Sequence, residues 1–164
     1  MGEFFVTLSA KLILAYTRMR FYGNIEAKSD LKGRVFLPSV FRKELTAEGE
    51  SVLIMRKDVY QKCLVLYPES VWNQMLDSMR ARLNRWDVRE QQVFRQFVAA
   101  AETVTLDGSG RFLINRKAAE AADITGVVSF IGMGDSIEIW AAERMSQPLM
   151  PEEDFRAAIA DLLQ

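Results

Sequence analysis

Histidine is missing from this sequence, and cysteine occurs once, as Cys63. Without histidine there is no Ser-His-Asp or Cys-His nucleophilic scheme and no histidine-ligated metal site. Cys63 lies in the apolar run KCLVLY, where a thiol packs as a small hydrophobe and has no base beside it. One cysteine rules out an intrachain disulfide framework and fits a reducing cytoplasm. No charge of one sign dominates: 21 basic side chains face 22 acidic ones, a net charge of −1. Bulk attraction to nucleic acid or anionic lipid is therefore absent, and any DNA-binding face must be local. No Walker motif occurs. The glycines of GMGDS (132–136) precede an apolar strand rather than the helix that a dinucleotide site needs. Catalysis and cofactors are not expected.

What is present suits a soluble globular chain of 164 residues, 49% apolar and 26% charged, with room for one domain or two small interlocked ones. The apolar stretch Phe4 to Tyr16 is short for a membrane span and is broken by Lys11. It lacks a basic leader and a cleavage site, so neither a signal peptide nor a membrane partner is expected. Residues 1–18 read as an extension outside the regular pattern, with Met19 as the expected true start.

The dominant feature is a repeat. SDLKGRVFLP (29–38) and LDGSGRFLIN (106–115) share Asp, two spacers, Gly, Arg and three apolar residues. Each copy has an alternating strand before this turn, with Ile25 and Ala27 in one and Val104 and Leu106 in the other. Each has a short helix-compatible stretch after it, entered at Pro38 or at Asn115. Two further strands follow in each copy, the second copy being shorter at their connection. The expected fold is α+β with a mainly β core, in which two intrachain halves share one barrel-like sheet. The segments are residues 19–68 and 102–146 for the two repeats, 69–101 for a helical connection and 147–164 for a C-terminal helix. Apolar stripes on the three long helices (Val71, Trp72, Met75, Leu76; Val93, Phe94, Phe97, Val98; Phe155, Ile159, Leu162, Leu163) are expected mainly to pack on the core, with some surface left for a subunit interface.

Asp-x-x-Gly-Arg describes a type I turn closed by a left-handed residue. Gly33 and Gly110 supply the positive φ, and Asp30 and Asp107 face Arg34 and Arg111 across the strand mouth, orienting each guanidinium. Basic residues cluster around both turns: Lys32, Arg42 near the first, Arg116 and Lys117 near the second, with Ser109 at the second tip. A two-stranded ribbon fits the DNA major groove, where arginine can bond two acceptors on guanine. Lysines and other arginines would hold phosphates and set the register. So few net charges per site give modest affinity, so this reading requires several copies acting together, hence an oligomer.

The stretches SDLKGRVFLPSVFRKEL, CLVLYPESVW and LDGSGRFLI followed by IEIW, in this order, resemble the MraZ family of bacterial transcriptional regulators, from about Met19 to the C-terminal helix. The resemblance implies a duplicated swapped-hairpin barrel of the AbrB type and ring-shaped homo-oligomers. It also implies binding to repeated promoter elements of double-stranded DNA upstream of a division and cell-wall gene cluster that includes the regulator's own gene. In such a repressor the DNA-contacting arginines correspond to Arg34 and Arg111, and the location would be the cytoplasm, at the nucleoid. Asn115 stands where the first copy has Pro38, a departure that leaves both arginines in place. The competing expectation is an oligomeric AbrB-like assembly or protein-interaction module whose hairpins only close the barrel.

Overall fold

A computed structural model describes residues 19–164; the extension read at residues 1–18 lies outside the described residues. Each half runs strand, hairpin turn, strand, short helix, strand, strand. The first half comprises β1 (Asn24–Lys28), β2 (Arg34–Phe36), α1 (Ser39–Ala47), β3 (Val52–Lys57) and β4 (Leu64–Pro68). Two helices follow, α2 (Glu69–Arg82) and α3 (Val88–Ala99). The second half comprises β5 (Glu102–Thr105), β6 (Arg111–Leu113), α4 (Arg116–Ala121), β7 (Val127–Gly132) and β8 (Ile137–Ala141), and α5 (Glu152–Leu162) ends the chain. As the repeat requires, the connection between the last two strands is shorter in the second half, 133–136 against 58–63.

The strands do not stay within their own halves. One antiparallel sheet has the order β1-β7-β8-β4-β3-β5, and a separate ribbon pairs β2 with β6. The first strand of each half therefore pairs with the third strand of the other, β1 with β7 and β5 with β3, so that hairpin arms are exchanged. The pairings have an internal twofold relation. It passes between Val35 and Phe112 in the ribbon and between Val65 and Glu138 where β4 meets β8. In both places equivalent residues of the two copies lie opposite each other.

This exchange explains the core. Strands of three to six residues cannot bury enough surface alone. Interleaved, they bring Val35, Leu37, Phe41, Leu66, Val128, Phe130 and Ile139 from both halves into one cluster, none more than 1% exposed. The alternation predicted around the hairpins holds: Val35 and Phe112 point inward, and their neighbours Arg34, Phe36, Arg111 and Leu113 point outward. Cys63 is fully buried, and burial pushes its thiol up to about 12, which suits a core residue.

The helices follow local rules but differ from the expected packing. Pro38 and Pro68 precede α1 and α2 with φ of −51° and −54°, angles the ring imposes. Asn115 and Asp87 cap α4 and α3 by accepting from the Ala118 and Glu90 backbone N–H groups. The Glu90 carboxylate in turn accepts from the Asn84 N–H and not from the Asp87 N–H, which donates to the Asn84 carbonyl. Val71 and Trp72 of α2 are buried, whereas α3 and α5 contain no buried residue. The stripe Phe155, Ile159, Leu162 and Leu163 is exposed within one chain, so the expectation of core packing fails for α5. The physical reason is that the interleaved sheet already closes the core, and the chain after β8 leaves it.

Candidate nucleic-acid interface

The two hairpin turns are built from the same bonds. In the first, the Gly33 N–H donates to the Asp30 carbonyl (3.1 Å) and the Asp30 N–H to the Arg34 carbonyl (2.8 Å). In the second, Gly110 donates to Asp107 (2.9 Å) and Asp107 to Arg111 (2.8 Å). Both glycines are left-handed, with φ of +86° and +84°. Space is short at both: a Cβ at Gly33 would come within 2.9 Å of the Ile114 carbonyl oxygen, and one at Gly110 would run into the Arg42 side chain.

Each aspartate organises its turn and its arginine together. One Asp30 oxygen accepts from the Lys32 and Arg34 backbone N–H groups, both at 2.9 Å, while the other accepts from Arg34 Nε at 2.8 Å. Asp107 repeats this with the Ser109 and Arg111 N–H groups at 2.9 Å and Arg111 Nε at 3.0 Å. Held by Nε, a guanidinium presents its two terminal nitrogens outward as a parallel pair of donors. The backbone N–H of Arg34, opposed by partial desolvation and helped by the Arg34 side chain and the Lys32 N–H, holds the Asp30 carboxyl below the usual range. For Asp107 the Arg111 N–H is again the main cause of the lowering.

The ribbon joins the turns into one surface. Arg34 lies opposite Leu113 and Phe36 opposite Arg111, so the two arginines sit diagonally on its outward face. Arg111 Nη1 is 4.0 Å from Asp30 Oδ2, a contact between the two copies, and its guanidinium lies 5.7 Å from the Phe36 ring centroid. Phe36 and Leu113 are each half exposed on this face. Sequence reasoning did not place these two residues at the site, although alternation about the inward Val35 and Phe112 carries the signal.

The remaining sequence-predicted residues take different positions. Lys32 and Ser109 are exposed at the turn tips. Arg42 is half-buried beneath the second turn, where its Nε donates to the Leu37 carbonyl at 3.0 Å. Arg116 is exposed and pairs with Glu120 at 3.2 Å, and Lys117, the next residue of α4, is exposed as well. Among the described residues no group of His, Cys, Asp and Glu is placed to hold a metal ion, and no helix is long and apolar enough to cross a membrane.

The carboxylate bonds fix the expected pH response. A lowered folded-state value means that the turn bonds contribute above the unfolded aspartate's range and are lost as pH falls through the folded value. Carboxyl resonances of Asp30 and Asp107 followed by NMR should both titrate below an unstructured aspartate, and Arg34→Ala should move the Asp30 midpoint upward. An Asp30 midpoint at the ordinary value would show that these bonds do not persist in solution.

Two segments of the chain, residues 21–95 and 97–164, match the family described as MraZ protein, putative antitoxin-like. Proteins named Transcriptional regulator MraZ are similar over most of their length. The one from Phocaeicola vulgatus is 53% identical over 145 residues, covering 88% of this chain and 94% of that protein. The Bacteroides thetaiotaomicron protein is 52% identical with 88% and 93% covered, and the Christiangramia forsetii protein 32% identical with 85% and 89% covered.

Proposed function

The chain belongs to the MraZ family, and from that premise we propose that it is a DNA-binding transcriptional regulator, not an enzyme, that reads DNA through the β2–β6 ribbon. The observation that supports this most is the pair of arginines on one outward face, each gripped at Nε by an aspartate of its own turn. Gripping costs little and orients much. Exposed ion pairs contribute at most about 1 kcal/mol to stability, but a pre-aimed guanidinium loses less freedom when it meets the O6 and N7 acceptors of guanine.

In this reading Arg34 and Arg111 contact bases, and Lys32, Ser109, Arg116 and Lys117 contact phosphates. Arg42 supports the second turn from beneath, as its bond to Leu37 suggests. Phe36 and Leu113 offer apolar surface beside the arginines, suited to a thymine methyl group. The tip cluster carries little net charge, because two aspartates offset the two arginines and leave only Lys32. One subunit therefore binds weakly, and linked copies supply the affinity. The exposed apolar stripe of α5 gives such copies a surface on which to meet. We take the assembly to be a ring of AbrB-like barrels. In each, the repeats 19–68 and 102–146 exchange hairpins, so that the six-stranded sheet and the ribbon close together. The DNA target is a set of promoter repeats upstream of the protein's own division and cell-wall gene cluster, in the cytoplasm at the nucleoid, and the expected outcome is repression.

Footprinting on DNA upstream of the protein's own gene, at stated salt, tests this. Regularly spaced short protections are expected. Uniform coverage, or none, would favour the assembly module, in which the turns only close the barrel.

A further inference from the structure

The two halves are related by a twofold axis, but one pair of equivalent places is filled differently. On one side Phe21 and Phe41, each 1% exposed, meet edge to face at 5.6 Å. The alignment that pairs Asp30 with Asp107 puts Val98 and Ala118 in the places of these rings. Two phenyl groups thus become a half-buried valine and a methyl. The residues after Val98 are three alanines, Ala99–Ala101, where the first copy has Tyr22, Gly23 and Asn24. A cavity of about 320 Å³ opens there, bounded by β3, β4, α4 and the chain entering β5.

Its wall carries a charge that the other half lacks. The registers β1–β7 and β5–β3 make Arg56 the equivalent of Ile131, so the fold accepts an apolar side chain at this place. Arg56 is only 9% exposed and forms no ion pair among the described residues. Nη1 donates to the Lys57 carbonyl, and the guanidinium lies 4.3 Å from the Phe97 ring centroid. Nε is shut from solvent and has no acceptor among the described residues. A buried cation without a carboxylate is costly, and an aromatic face offsets only part of that cost.

The other polar groups of the cavity favour an anion. Lys57 and Lys117 line it with Arg56, the Lys57 ammonium donating to the Asp58 and Gln61 carbonyls at 3.0 and 3.2 Å. Glu102 lines it as well, its charged carboxylate held by Asn115 Nδ2 at 2.7 and 3.0 Å, so that three cations face one anion. Met55 and Leu64 supply apolar wall. We propose that this cavity binds a small organic oxyanion, a carboxylate or a phosphate ester, with Arg56 as its charge partner and the apolar wall receiving its carbon skeleton. The site shares Lys117 with the proposed DNA-contacting surface, but Arg56 and the apolar wall lie apart from the ribbon, and the proposal does not depend on what the ribbon reads.

Calorimetric titration of the full chain with benzoate, and separately with inorganic phosphate, tests the site, with chloride at matched ionic strength as the reference. Binding is expected for the wild type and should weaken by about tenfold or more in Arg56→Ile when the charge-assisted bond is lost. Ala118→Phe refills the space as Phe41 does in the other half, and keeps Arg56 and both hairpin turns. It should abolish binding while the protein stays folded, which keeps the test decisive even if Arg56→Ile fails to fold. A wild type that binds benzoate and phosphate no better than chloride overturns the proposal. So does an Ala118→Phe variant that binds as tightly as the wild type, since the anions would then sit elsewhere, for example on Arg34 and Arg111.

Discussion

Arg34→Ala and Arg111→Ala should each weaken binding to promoter DNA by about tenfold to a hundredfold per site, the usual range of about 1–3 kcal/mol for a bidentate arginine–guanine contact. The loss should be larger in the assembled protein, because every subunit carries the change and linked sites multiply their effects. Folding should barely change, since both side chains are partly exposed and their ion pairs lie at the surface. Fluorescence anisotropy over a series of salt concentrations, with light scattering for assembly, separates the roles. An arginine that reads a base loses discrimination between operator and mutated operator, whereas one that holds phosphate loses affinity for all sequences and lowers the salt slope by about 1. Binding unchanged in both variants would remove the ribbon from the mechanism.

Phe130→Ala should cost about 3–5 kcal/mol, the range for removing a buried aromatic ring. Phe130 is fully buried on β7, pairs with Ile25 of β1 across the exchanged strands, and meets the Phe112 ring at 6.2 Å. It therefore joins the first strand of one half to the centre of the other. Because neither half owns a complete sheet, unfolding in urea should remain a single transition, reported equally by Trp72 in α2, which packs on the first half, and Trp140 in the second half. Two transitions would mean that the halves are independent and that the exchange contributes little.

Much of the site was readable as sequence because it is local. Asp, two spacers, Gly and Arg determine a turn through bonds that all lie within five residues, and the same bonds occur in both copies. Left-handed φ is a property of glycine itself, so Gly33 and Gly110 could be assigned without knowing what surrounds them. The capping roles of Asn115 and Asp87 were equally local.

Other features had no local sign. Apolar periodicity marks a helix face to be covered but does not say what covers it, and so α2 and α5 looked alike although only α2 buries residues against the sheet. Arg42 looked like a surface cation from its neighbours; its place beneath Gly110 follows from the packing of α1 under the other copy's turn. The cavity beside Arg56 depends on differences between the copies at Arg56, Val98, Ala99–Ala101 and Ala118, which meet only once the halves are interleaved.

Short-range bonds and glycine's backbone freedom suffice to specify the repeat, the two turns and the pairing of each arginine with its own aspartate, so these are written in the chain itself. That the two arginines share one face is a product of long-range packing. That outcome needs β2 to pair with β6 across the twofold axis, with Val35 against Phe112, and a pairing between distant strands is selected by the burial of a common core that neither strand specifies alone.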